Sequence, residues 1–329
     1  MDAGLAVDRF RLLLRDTAAL DLAESVRRGL TAPQKSLEPR FFYDSLGSAL
    51  FEAITNLPEY YVTRAETEIL DAHAAEIASA FGSPTRIIEL GSGSARKTRL
   101  LLDHFAHRPL EYVPIDIDAS ILEHMGRDLL ADYPRLTVTA IRADLRAPSE
   151  ALRPLPHPGR TVALFLGSSI GNLDHEDAIA LLTNLRSALA PGDLFLLGAD
   201  MKKPREVLEP AYDDALGVTA AFNRNLLVRI NRELDADFDP KQFDHRAFYD
   251  EERGRIEMHL VSRRRQRVRI DALELQVVFD EGETIHTENS YKYDDVTLSR
   301  LATASGFAIE KQWTDARGWF RDVLLIADR

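Results

Sequence analysis

The stretch that most constrains the fold is an apolar run that ends in an acid and then breaks into glycines, RIIELGSGSARKTRLL over residues 86–101. This pattern predicts a buried strand that passes through a glycine turn into a helix. Such a turn lets backbone N–H groups approach a ligand, which suggests a nucleotide-type cofactor. A dinucleotide turn needs a third glycine, and Arg96 occupies that position. The turn alone is equally compatible with a purely structural role.

Strand and helix patterns alternate regularly from residue 66 onward. Apolar strand patterns cover residues 87–88, 112–117, 136–142, 161–166 and 194–197, with helical patterns between them, the last of which starts after Asp174. This alternation is typical of a doubly wound, mostly parallel α/β sheet. Two further strands, 307–314 and 323–327, have a short connection that permits an antiparallel hairpin at the sheet edge. We therefore expect seven strands in all.

Two regions do not follow this alternation, residues 1–63 and residues 201–292. The second contains a helical part over 206–234 and a β part over 255–293. Ligands of open α/β sheets bind outside the carboxyl ends of the strands. We expect the two regions to form one α+β substrate-binding lid domain there. Residues 64–200 and 293–329 would then form the cofactor-binding domain.

Charge and composition restrict the partners of the chain. Its 41 basic and 53 acidic residues give a net charge of -12, which disfavours nucleic acid and anionic membranes. The basic run at 263–269 alternates from Arg265 onward, as the outward face of a strand would. The absence of cysteine excludes thiolate chemistry and fits a reducing compartment. No signal peptide or membrane span is recognisable, so we expect a cytoplasmic protein.

An acid lies at or just beyond the end of each of the first three predicted strands of the alternating region: Glu89, Asp116 and Asp144. An acid about 20 residues beyond a glycine turn accepts hydrogen bonds from ribose hydroxyls. The acid after the third strand suits the exocyclic amine of adenine. Each acid alone could be a surface or capping residue, but together they favour an adenosine-containing cofactor. The histidines show no metal-ligand spacing, so no metal is expected.

The glycine turn, the acids and the terminal hairpin together resemble the class I S-adenosylmethionine-dependent methyltransferases, which tolerate the missing third glycine. Seven segments in chain order are similar, more narrowly, to the L-histidine Nα-methyltransferases of the ergothioneine pathway: KSLEPRFFYD, LPEYYVTRAE, ELGSGSARKT, FLGSSIGNL, AYDDALGVTAAFNRN, RIEMHL and TENSYKY. This resemblance implies transfer of three methyl groups from S-adenosylmethionine to the α-amino group of histidine, which gives hercynine. We expect a monomer.

The resemblance also implies roles for individual residues. The candidate cofactor contacts lie at the ends of the first three strands and in the glycine turn: Glu89, Gly91, Ser92, Gly93, Lys97, Asp116, Asp144 and Leu145. The candidate substrate residues are spread over the whole chain: Tyr43, Tyr60, Gly167, Asn172, Tyr212, Phe222, Met258, Glu288 and Ser290.

Within the substrate set, Asn172 and Tyr212 match residues that hold the α-carboxylate and amine, and Tyr43 matches a tyrosine near the amine. The catalytic assignment is that Tyr43 and Asn172 orient the amine. The residues that match positions around the imidazole and its pocket are Tyr60, Glu288, Ser290 and Met258. Gly167 and Phe222 would border the same space.

Strand geometry supports the imidazole assignment independently. Residues two apart in a strand face the same way, so Glu288 and Ser290 can both contact one ligand edge. Met258 offers adaptable apolar contact. Taken singly, Met258 would be an ordinary core residue and Glu288 a surface charge. The ordered match of seven segments is what favours the functional interpretation.

Three alternatives remain open from the sequence. The same Nα-methylation could act on another aromatic amino acid, of the tryptophan or tyrosine type. A non-catalytic module could bind an adenosine ligand with the same fold. An NAD-dependent oxidoreductase is disfavoured by Arg96 and by the terminal hairpin.

Overall fold

The computed structural model describes residues 9–15, 22–143, 148–152 and 159–328. Along these residues the strands and helices follow in the order β1 (Phe10–Leu14), α1 (Leu22–Thr31), β2 (Lys35–Ser36), α2 (Ser45–Thr55), α3 (Tyr61–Phe81), β3 (Arg86–Leu90), α4 (Arg96–Leu102), β4 (Leu110–Asp116), α5 (Ala119–Asp132), β5 (Leu136–Arg142), α6 (Pro148–Leu152), β6 (Thr161–Phe165), α7 (His175–Ser187), β7 (Leu194–Asp200), α8 (Arg205–Leu208), α9 (Val218–Leu234), β8 (Phe243–Asp250), β9 (Arg255–Ser262), β10 (Gln266–Ile270), β11 (Leu275–Phe279), β12 (Thr284–Tyr291), α10 (Asp295–Ala304), β13 (Phe307–Thr314) and β14 (Phe320–Ala327).

The chain divides into two compact units, each made of separate stretches. The first unit comprises Met1–Ala19, Ala65–Met201 and Tyr293–Arg329, and the second comprises Leu20–Arg64 and Lys202–Lys292.

The first unit is built on an eight-stranded sheet with the order β1-β5-β4-β3-β6-β7-β14-β13. The first six strands in this order run parallel, whereas β14 is antiparallel to β7 and to β13. Strands β3, β6 and β7 are buried along their whole length, as in parallel sheets covered by helices on both faces. The expected α/β class, with its antiparallel edge hairpin, is confirmed.

The eighth strand comes from the N-terminal segment that we had expected to belong to the lid. β1 pairs in parallel with β5, and Phe10 lies opposite Val138. Gly126 of α5 leaves space for this strand, because a Cβ at that position would lie 2.3 Å from the Phe10 ring. The Arg9 guanidinium donates hydrogen bonds to carbonyls at the end of α5, among them Leu130 over 3.1 Å. Only these long-range contacts identify the segment as a strand.

Two helices in this unit, α5 and α10, begin at side chains that cap their first turn. Asp118 caps α5 by accepting from the N–H of Ser120 over 2.9 Å. Asp174 occupies the N-cap of α7, as predicted. Asp294 and Thr297 form a capping box at the start of α10. The side chains of Asp118 and Asp294 thus fix where α5 and α10 begin, whereas Asp174 makes no such capping hydrogen bond at α7.

The second unit contains a four-stranded sheet with the order β2-β12-β9-β8 and a separate hairpin of β10 and β11. β8 lies before residue 255, where we had predicted the β part to begin. It was not predicted, because its irregular burial pattern corresponds to no clear alternation. The expected outward face of the basic run is confirmed, because Arg267 and Arg269 are exposed on β10. The pairing of β12 with β9 shifts register between His286 and Glu288.

Candidate active site

The glycine turn lies between β3 and α4 in the first unit. Gly91 and Gly93 have φ values of 65° and 48°, and Ala95 at the N-cap of α4 is also left-handed. Glycine adopts this conformation without the strain that a side chain would add. The Ser92 hydroxyl oxygen is buried and has no hydrogen-bond partner among the described residues. An unsatisfied buried hydroxyl in such a turn fits a polar ligand such as an adenosine cofactor.

Asp116 lies beside this turn, at the end of β4. Its carboxylate accepts hydrogen bonds from the backbone N–H groups of Gly93 and Asp118, each over 3.2 Å. Burial raises the pKa of Asp116, although these hydrogen bonds oppose the shift. The structure therefore brings the second predicted acid to the glycine turn.

Glu89, the first predicted acid, is buried and already has protein donors. Its carboxylate accepts from the Thr98 hydroxyl over 2.7 Å and from the Tyr112 hydroxyl. Burial raises the pKa of Glu89 to about 7, although these donors lower it. Glu89 thus connects β3 to α4 and β4. The third acid, Asp144, and its neighbour Leu145 lie outside the described residues.

Gly167 and Asn172 follow β6 in the same unit. Gly167 has a φ of 78°, and Asn172 ends a short 3₁₀ helix, Ser169–Asn172. The Gly167 N–H donates to both carboxylate oxygens of Glu66, over 2.8 and 3.0 Å. Lys97 forms an ion pair with the same carboxylate. The structure thus brings Lys97 and Gly167 together through Glu66, which we had not selected although it ends the segment LPEYYVTRAE.

An aromatic cluster in the second unit contains four of the predicted substrate residues. The Tyr43 ring lies 5.8 Å from the Phe222 ring, and the Tyr60 ring lies 6.3 Å from the Tyr212 ring. Phe51 connects these pairs, with centroid distances of 5.6 Å to Tyr43 and 6.2 Å to Tyr60. The arrangement is mostly edge to face, which aromatic rings prefer. Phe51 was not predicted, because its position in an ordinary helical pattern carries no separate signal.

A polar network lies at one end of this cluster. The hydroxyls of Tyr212 and Ser290 are 2.8 Å apart. The Lys292 ammonium donates to both, over 2.8 and 2.9 Å, and Lys292 is only 2% exposed. Lys292 was also not predicted, although it lies in the segment TENSYKY. The structure therefore adds a buried cation to two predicted substrate residues.

Glu288 and Met258 face each other across β12 and β9. They are direct register partners in the antiparallel pair, and both are buried. Directly opposed residues in such a pair have their side chains in contact distance. The structure therefore places the predicted carboxylate beside the predicted apolar residue.

Glu257 and His259 flank Met258 in β9 and so point to the other face of the sheet. Among the described residues they form, with His286, one group whose donor atoms all lie within 4.8 Å. The Arg255 guanidinium donates to Glu257 over 2.5 and 2.9 Å. Burial raises the pKa of Glu257, but the hydrogen bonds from Arg255 and His259 outweigh it and lower the pKa to about 2. Since Arg255 already neutralises this carboxylate, we interpret the group as a salt-bridge network.

In the part of the chain that the structure describes, no helix is both long and apolar enough to cross a membrane.

Comparison with known proteins agrees with these features. A sequence-family model described as "Histidine-specific methyltransferase, SAM-dependent" matches residues 22–327. The chain is 46% identical over 310 residues to a histidine N-alpha-methyltransferase of Mycolicibacterium smegmatis. The aligned region covers 94% of this chain and 95% of that protein. It is also 46% identical to the protein of the same name from Mycobacterium tuberculosis, over 93% of this chain and 94% of that protein.

A more distant relative is ergothioneine biosynthesis protein 1 of Schizosaccharomyces pombe. It is 29% identical over 88% of this chain but only 38% of its own length. The matched residues 22–327 span nearly the whole chain and include both units. The chain therefore belongs to the histidine-specific, S-adenosylmethionine-dependent methyltransferase family.

Proposed function

We propose that this protein transfers three methyl groups from S-adenosylmethionine to the α-amino group of L-histidine, giving hercynine, in the first step of ergothioneine biosynthesis. The observation that carries the proposal is the buried cross-strand pair of Glu288 and Met258. It supplies a carboxylate and an apolar contact side by side, as an imidazole ring requires. The relatives named histidine N-alpha-methyltransferase, at 46% identity, support the same acceptor.

The cofactor half of the reaction belongs to the first unit. The buried Ser92 hydroxyl without a partner, the left-handed glycines and the adjacent Asp116 fit an adenosine ligand. We assign the cofactor to the residues Glu89, Gly91, Ser92, Gly93, Lys97, Asp116, Asp144 and Leu145. S-adenosylmethionine supplies a methyl group on a sulfonium, which is a good leaving group, so no residue of the protein has to act as a covalent nucleophile.

The protein's task is then to hold an unprotonated amine in line with the methyl group. We assign this orientation to Tyr43 and Asn172, and contact with the α-carboxylate to Asn172 and Tyr212. The pKa of a peptide α-amino group is about 7.7 to 8.0, and that of a free amino acid lies higher because its carboxylate is ionised, so the unprotonated fraction grows as pH rises above neutral. We therefore expect the rate to rise on the alkaline side of neutrality. A rate that is flat from mildly acidic to mildly alkaline pH would contradict a need for amine deprotonation.

Selectivity for histidine is assigned to the imidazole contacts. Glu288 accepts the imidazole N–H, with Tyr60 and Ser290 around the ring, Met258 along its face, and Gly167 and Phe222 at the border. A side chain without the N–H cannot donate to the Glu288 carboxylate, and a site built to pair with a substrate N–H rejects analogues that lack it. We also propose that the protein acts as a cytoplasmic monomer. Light scattering coupled to size-exclusion chromatography tests the oligomeric state.

The experiment that tests the proposed function is mass spectrometry of histidine incubated with S-adenosylmethionine and the protein. We expect products heavier by one, two and three methyl groups, with the trimethylated form as the end point. Each aromatic amino acid is offered in a parallel reaction. Methylation of tryptophan or tyrosine without methylation of histidine would overturn the proposed acceptor.

A further inference from the structure

Glu66 is a fully buried carboxylate in the first unit, carried by α3. It accepts hydrogen bonds from the Gly167 N–H over 2.8 and 3.0 Å and forms an ion pair with Lys97. A buried carboxylate is costly unless such donors compensate it. Glu66 therefore joins the loop after β6 to the first turn of α4.

Two glycines leave the space that this arrangement needs. A Cβ at Gly198 of β7 would lie 2.2 Å from a Glu66 oxygen, closer than any real contact. A Cβ at Gly167 would lie 3.2 Å from the Lys97 nitrogen, and φ at Gly167 is 78°. Carboxylate and ammonium thus pack directly against backbone. Buried ion pairs add little to stability compared with apolar residues of similar volume, so stability alone gives no reason for this one.

Asp322 of β14 is a second buried acid beside this group, and it differs from Glu66 in its contacts. It is the cross-strand partner of Gly198 and is fully buried. Neither of its carboxylate oxygens has a hydrogen-bond partner among the described residues. Asp322 therefore shares the surroundings of Glu66 without holding Lys97 or Gly167, which makes it a matched control.

We propose that Glu66 is a positioning residue for the methyl donor: it holds the Lys97 ammonium and the Gly167 backbone in the arrangement that receives the charged amino-acid end of S-adenosylmethionine. The proposal rests on the proposed function, which assigns Lys97 to the cofactor. A lysine side chain loses considerable rotamer entropy when it is fixed. Because Glu66 fixes Lys97 before the cofactor arrives, the ligand does not bear that cost when it binds.

The test compares two ligands of the full-length protein by calorimetry. S-adenosylhomocysteine carries the amino-acid end, whereas 5′-methylthioadenosine has the same nucleoside without it. In Glu66→Gln the amide oxygen still accepts from Gly167, but the charge that holds Lys97 is lost. We expect the Kd of S-adenosylhomocysteine to rise roughly tenfold or more, as for loss of one charge-assisted hydrogen bond. The Kd of 5′-methylthioadenosine should stay unchanged.

Lys97→Met is the positive control and should show the same difference between the ligands. Asp322→Asn should leave both affinities unchanged. If Glu66→Gln does not fold, Glu66→Asp, which moves the charge by one methylene group, provides the comparison. The positioning role would be overturned if the Glu66 variants bound both ligands equally weakly. It would also be overturned if Lys97→Met, but not the Glu66 variants, bound S-adenosylhomocysteine more weakly. Either result would leave the proposed function intact. Failure of the unmodified protein to bind S-adenosylhomocysteine would instead overturn the proposed function.

Discussion

The buried ammonium of Lys292 donates a hydrogen bond to the hydroxyl of Tyr212 over 2.8 Å. The same ammonium donates to Ser290, so one cation fixes two hydroxyls at the end of the aromatic cluster. A lysine that is 2% exposed loses most of its hydration. We infer that its charge serves the anionic substrate end that Tyr212 is proposed to contact.

Lys292→Met tests this role, because methionine keeps much of the apolar stem and removes the charge. We expect the KM for histidine to rise by about tenfold, in line with the loss of a hydrogen bond to a charged group. The Kd for S-adenosylhomocysteine, measured by calorimetry, should not change. Lys311→Met is the matched control, since Lys311 is 45% exposed and pairs at the surface with Glu76. An equal rise in the KM for histidine and in the Kd for S-adenosylhomocysteine would indicate that Lys292 has only a structural role.

Glu288→Ala should weaken histidine binding far more than cofactor binding. The variant removes the acceptor proposed for the imidazole N–H, and a charged hydrogen bond of this kind corresponds to roughly tenfold or more in Kd. Calorimetric titration with histidine and with S-adenosylhomocysteine measures both effects. Glu310→Ala, at an exposed position of β13, should leave both unchanged. Unaltered histidine affinity in Glu288→Ala would rule out the anchoring role.

Asp322 makes stability depend on pH in a defined direction. Burial, reinforced by the nearby Glu66 charge, raises the pKa of Asp322 well above 3.8 in the folded protein. The folded state therefore keeps a proton that the unfolded chain releases above that value, so the free energy of unfolding falls as pH rises. Asp322→Asn removes this contribution. Urea unfolding from pH 4 upward should show that the free energy of unfolding falls less with rising pH in the variant than in the unmodified protein. Near neutral pH the variant should be the more stable of the two. If the free energy of unfolding had the same pH dependence in both proteins, the raised pKa of Asp322 would be contradicted.

Gly126→Ala tests the docking of β1. Alanine normally stabilises a helix interior by about 1 kcal/mol relative to glycine, but here the new Cβ meets the Phe10 ring. We expect net destabilisation by about 1 to 3 kcal/mol, as in other overpacked sites. In the Phe10→Ala background the clash is absent, so the same substitution should become stabilising. Urea unfolding of the four proteins measures this change of sign, and additive effects would argue against the contact.

Much of the first unit could be predicted from the sequence. Strands such as β3, β6 and β7 are buried along their length and contain short apolar runs, because both faces of the sheet are covered, and each run is a local signal. The glycine turn and the acid after β4 were likewise recognised from spacing, and the structure brings Asp116 to Gly93.

Other features had no local signal. β1 has an irregular burial pattern and becomes a strand only by pairing with β5, more than a hundred residues away. β8 pairs with β9, its neighbour along the chain, and was missed because its side chains show no regular alternation of buried and exposed positions. The register shift in β12 depends on its pairing with β9. Sequence periodicity cannot report pairings of this kind, because it describes only neighbours along one chain segment.

By itself, the sequence determined the α/β class, the position of the glycine turn and, through seven ordered segments, the resemblance to one methyltransferase family. Only the tertiary structure decided that Lys292 joins Tyr212 and Ser290, and that Glu66 joins Lys97 and Gly167. Strand and turn patterns arise from local backbone preferences and burial, which neighbouring residues express. A buried charge is defined by its partners, and folding brings those partners from distant parts of the chain.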